Sequence, residues 1–70
     1  MDATATRIAD LEELRDYAQA QKDRLMAAFG AAINSNDMES ALKLARLADE
    51  FGRKAEQARA DIYTLKRVAA

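Results

Sequence analysis

Residues 41–69 read ALKLARLADEFGRKAEQARADIYTLKRVA. Taken by sevens, they place Ala41, Leu44, Ala48, Phe51, Ala55, Ala58, Ile62, Leu65 and Ala69 on one line. The steps alternate three and four without a slip, and every position is apolar. That is the seam of a coiled-coil helix held over four heptads. One rail of the seam is small (Ala41, Ala48, Ala55), and the other is mostly large (Leu44, Phe51, Leu65). Small residues let a partner helix approach closely, and large ones fill the grooves beside them.

Working outward, the chain has 70 residues, which is one domain and a small one. Chains of this size gain stability from disulfides, a metal or a second chain. Cysteine and histidine are both absent. Disulfides and most zinc, haem and iron–sulfur chemistry go with them, so another chain is the remedy left. Proline is absent, and only Gly30 and Gly52 interrupt a run of strong helix formers, so the fold class is all-α.

Net charge is −1, which gives no global field for nucleic acid or anionic lipid. No apolar run approaches the roughly 20 residues of a membrane span. The start, Met1 to Arg7, lacks the basic and apolar regions of a signal peptide. The expected location is the cytoplasm.

The remaining elements follow from the pattern. Asp2, Thr4 and Thr6 are each able to cap a first helix over about 5–33. Its seam is read as Leu11, Leu14, Ala18, Gln21, Leu25, Ala28 and Ala32. Gln21 is the polar member, either fixing register or reaching solvent at the edge. Asn34-Ser35-Asn36-Asp37 is the turn signal, placed at 34–36. Asn34 is suited to a left-handed helix end. Asn36 as N-cap puts Glu39 at capping-box spacing. The second helix then covers about 37–68. Glu39–Lys43, Asp49–Arg53 and Glu50–Lys54 are acid-before-base pairs at i,i+4, each expected to add about 0.3 kcal/mol.

So short a connection makes the helices antiparallel neighbours. Folding the chain about Ser35 sets Ala18 opposite Gly52, read as a close contact, Leu25 near Leu44, Phe29 near Ala41, and Ile8 near Ile62. Apolar side chains remain off both seams: Leu42, Leu47, Tyr63 and Val68 on the second helix, and Ile8, Met26 and Ile33 on the first. At the open end Leu65 and Val68 are expected to meet only Met1, Ala3 and Ala5. A hairpin with apolar surface left over needs a partner, either a second copy that makes a four-helix bundle or another helical protein. The candidate interface residues are Leu42, Leu47, Ile62, Tyr63, Leu65, Val68, Ile8 and Met26. Tyr63, Leu65 and Val68 form the preferred contact patch, with burial by the chain's own N-terminus as the other reading.

Reaction chemistry is poorly supplied. Threonine, serine and tyrosine hydroxyls have no histidine base, and no glycine-rich phosphate loop exists. Asp10, Glu12, Glu13, Asp16, Asp23, Glu39, Asp49, Glu50, Glu56 and Asp61 fall outside the seams and read as a solvated face. No catalytic residue, metal or cofactor is expected. Residues 1–35 carry four basic and six acidic groups, and residues 36–70 carry seven and six. Arg46, Arg53 and Arg67 share one heptad position, beside Lys43 and Lys66. In a dimer that stripe could contact phosphates, although acids are interleaved with it.

Two kinds of short hairpin are similar in outline. The alternating small and large seam over residues 41–69 resembles the plasmid copy-number hairpins of the Rop family. That resemblance implies an antiparallel hairpin that dimerises and binds RNA. Length, turn position and the apolar second helix are also similar to the E-type co-chaperones of type III secretion needles. Those hold another chaperone and, with it, a needle subunit. Neither resemblance assigns a site residue. The expected function is a non-enzymatic protein–protein interaction module, that is, a subunit, adaptor or co-chaperone. The alternative is a small dimeric nucleic-acid-binding regulator.

Overall fold

The computed structural model describes residues 2–69. It contains two helices, α1 (Ala3–Asn34) and α2 (Met38–Ala69), packed side by side as an antiparallel hairpin. The rod measures 51 × 16 × 12 Å, one helix long and two helices wide.

The first cap is Asp2. Its backbone is extended (φ −73°, ψ 129°), and its carboxylate accepts from the Thr4 amide at 3.0 Å. An N-cap acceptor satisfies one of the amides that the first turn leaves unpaired.

The turn differs from its sequence reading by two residues. Asn36, not Asn34, takes the left-handed conformation, with φ 57°. The Asn36 amide donates to the Ile33 carbonyl at 3.1 Å, and the Asp37 amide donates to the Ala32 carbonyl at 2.9 Å. Those two bonds are a Schellman ending, which satisfies the last carbonyls of α1 and reverses the chain in three residues. Asn36 is therefore not available to cap α2. Asp37 does so instead, accepting from the Ser40 amide at 3.1 Å. Glu39 then stands one position short of capping-box spacing.

Among the described residues seven are buried: Leu11 and Ala18 on α1, and Ala41, Ala48, Ala55, Ala58 and Ile62 on α2. All seven lie on the seams read from sequence, and five are alanine. The α2 seam is as expected as far as Leu65, and Ala69 at its end is exposed. The α1 seam keeps Leu11, Ala18, Leu25 and Ala32, but its second rail is different. Ile8, Arg15, Lys22 and Phe29 turn toward α2, while Leu14 and Ala28 are exposed. Arg15 and Lys22 occupy inward positions because their aliphatic stems cover alanine while their charged ends reach water.

The open end holds the largest buried side chains. Leu11, Ala58 and Ile62 form a cluster, with Ile8 and Leu65 packed against it. The expectation that Leu65 meets only the N-terminal residues is thus corrected, and Met1 lies outside the described residues. Gly52 also needs a correction. A methyl group placed there would meet Lys22 Cδ at 3.4 Å, ordinary contact with a flexible stem, so the position is not a backbone contact with Ala18.

Candidate interaction surface

Beside the seam run two long faces. The heptad register and the observed contacts assign residues to each. Gln19 and Arg59 mark the first, where Arg59 Nη2 donates to Gln19 Oε1 at 2.7 Å. This bond joins the two helices across the seam. Lys22 lies over Gly52 nearby, and Arg15 Nε contacts Asp16 Oδ1 at 2.9 Å. Long polar side chains close this face along its middle. Exposed apolar groups lie toward the turn, where Met26, Ile33, Met38 and Leu42 stand, and at Tyr63 toward the free end.

The second face carries no such strap. Leu14 and Tyr17 of α1 and Leu47 of α2 stand on it at 45, 58 and 43% exposure. Tyr17 meets the half-buried Phe51 edge to face, with ring centroids 6.2 Å apart and planes at 70°. Lys54 Nζ sits 5.2 Å from the Phe51 centroid, a cation over an aromatic face. Consequently the expected Glu50–Lys54 ion pair is not formed, whereas Glu39–Lys43 (3.5 Å) and Asp49–Arg53 (2.9 Å) are. Gln21, half-buried, belongs to this face rather than to the seam.

The interface candidates divide accordingly. Ile62 is buried, and Ile8 and Leu65 are packed against it, so these three stabilise the hairpin itself. A charge at Leu65 would therefore disrupt internal packing. Leu42, Leu47, Met26, Tyr63 and Val68 are exposed. Tyr63 and Leu42 share the strapped side, whereas Leu47 and Val68 lie on the open side. Leu14, Tyr17 and Met38 are exposed apolar residues that the sequence reading did not select. The signal for Leu14 was present but was assigned to the seam.

A shallow open groove of about 220 Å³ is lined by Arg7, Leu11, Asp61, Thr64 and Leu65. That is smaller than ordinary small-molecule sites. Among the described residues no group of three or more acidic side chains is placed to hold a metal ion. No helix among them is long and apolar enough to cross a membrane. Arg46, Arg53 and Arg67 are exposed on the outer side of α2, and Arg53 is engaged by Asp49. Asp37 is held below its ordinary range by hydrogen bonds from the Ser40 hydroxyl and then from its amide.

Comparison with protein-family models, curated proteins and solved structures gives no match to this chain.

Proposed function

We propose that the chain is a non-enzymatic protein–protein interaction module: one half of a helical bundle, acting as a subunit, adaptor or co-chaperone through the apolar face that its own hairpin leaves open. Surface area carries this reading. The hairpin exposes 5208 Å² for 7.7 kDa. A compact monomer of that mass exposes about 4,300 Å². The surplus of about 900 Å² is close to the share that each partner contributes to an ordinary stable interface. Among the described residues nine large apolar side chains are exposed: Leu14, Tyr17, Leu47 and Val68 (78%) on the open face, and Met26, Ile33, Met38, Leu42 and Tyr63 on the other. A face-to-face second layer of helices is the architecture that covers such a surface.

Solution mass by light scattering, measured across a concentration series with helicity recorded alongside, tests the reading. The expected result is association that rises with concentration and brings helicity to its full value. A fully helical monomer of 7.7 kDa at every concentration, with thermal unfolding independent of concentration, would refute it.

A further inference from the structure

Resting on that reading, we infer that the occupant of the open face is a second copy of this chain, laid antiparallel about a two-fold axis that passes the level of Gln21 and Gly52. Three observations lead there. The first is the area: about 900 Å² of surplus per chain is enough for a symmetric dimer without any other protein.

The second is charge. On the open side, Asp10 and Asp61 stand toward the free end, with Arg7 as the one base beside them. Arg24 and Lys43 stand toward the turn, and Glu50 and Lys54 flank the middle, where they cancel. Opposite ends of the face therefore carry opposite net sign. A parallel copy would set like on like, and an antiparallel copy sets acid on base.

The third is register. Lys22 lies against Gly52, so the Gln21 level of α1 and the Gly52 level of α2 coincide in the hairpin. An axis across that level pairs α1 with α1 and α2 with α2, every neighbour antiparallel. Lys54 and Glu50 lie two residues either side of Gly52, and Lys43 and Asp61 lie nine either side. Glu50 and Asp61 therefore each meet a base of the other copy, and Glu50 and Lys54 make no ion pair with each other within the chain. Leu14 and Ala28 lie seven either side of Gln21, so large meets small. Gln21 meets its own symmetry mate, where two amides can bond to each other and fix the register.

The test uses the absence of cysteine. Gln21→Cys in the full chain, oxidised at micromolar concentration, is expected to give a covalent dimer within minutes. Asp23→Cys, on the strapped side of the same helix, is expected to stay monomeric on gels. A charge exchange provides the second arm. Lys43→Asp and Asp61→Lys should each weaken the dimer about three- to tenfold at low salt, and the double variant should restore it. Mass and helicity are recorded for each, so unfolding is seen as such. A dimer that fails to cross-link at Gln21 and ignores the charge exchange overturns this arrangement while leaving the bundle reading standing. A helical wild-type monomer at high concentration overturns both.

Discussion

Along one face of the hairpin, Arg59 reaches Gln19 across the seam and Lys22 lies over Gly52; along the other, Leu14, Tyr17 and Leu47 stand half open to water, Tyr17 with its ring edge to face with Phe51. Both faces belong to the same two helices and flank the same row of alanines. The difference is made by side chains one heptad position away from the seam. On the first face long polar side chains close the middle of the seam, with exposed apolar groups only beyond them, at Met26, Ile33, Met38 and Leu42 toward the turn and at Tyr63 toward the free end. On the second they are apolar and only partly covered, so burying them releases free energy that the monomer leaves unused. A strap across the seam on one side and none on the other is what sets the two faces apart.

The largest effect is expected in the seam that both faces share. Ile62→Ala removes the bulk of the open-end cluster and should cost about 3 kcal/mol, with loss of cooperative unfolding by circular dichroism. Next comes the open face. Leu14→Asp with Leu47→Asp should weaken association by at least about 100-fold, because two charges per chain would be desolvated at the contact. Leu42→Asp, near the turn on the strapped side, should leave association unchanged.

Smaller effects sharpen the comparison further. Gly52→Ala and Gly30→Ala should each stabilise by about 0.5–1 kcal/mol, since neither glycine has positive φ and each has room for a methyl group. The smallest is Arg59→Ala, which removes an exposed strap and should change stability by less than about 0.5 kcal/mol. Acid should also loosen the turn. The Asp37 carboxyl is held below its ordinary value of 3.8, so its stabilising effect is present above that value and is lost as pH falls through the lower folded one. Asp37→Asn should accordingly flatten the thermal stability profile below about pH 4.

Most of the fold was legible because alanine and leucine at steps of three and four leave few alternatives. The α2 seam is free of charge for four heptads, and the structure follows it to Leu65. The α1 rail was misread at Leu14, Gln21 and Ala28. A pattern that admits only apolar residues rejects Arg15 and Lys22, yet their stems suit positions over alanine. The line through Ile8, Leu11, Ala18, Leu25, Phe29 and Ala32 was present in the sequence and is the one the hairpin uses. The turn was located but not resolved, since Asn34 and Asn36 have the same tolerance of left-handed backbone. The open face is legible only in part, for the same reason as the rail. Leu47 and Val68 mark that face from off the seam, but an all-apolar rail puts Leu14 inward and points also to Ile62 and Leu65, which the hairpin packs for itself.

The central claim is that the face bearing Leu14 and Leu47 is covered by a second chain. The most direct test is the solution mass of wild type beside that of the Leu14→Asp, Leu47→Asp variant, at equal concentration and with helicity measured on both. The account predicts a wild-type mass of twice 7.7 kDa, falling to 7.7 kDa in the variant while the helical signal persists at high concentration. Equal masses for the two proteins, whether monomeric or dimeric, would contradict it.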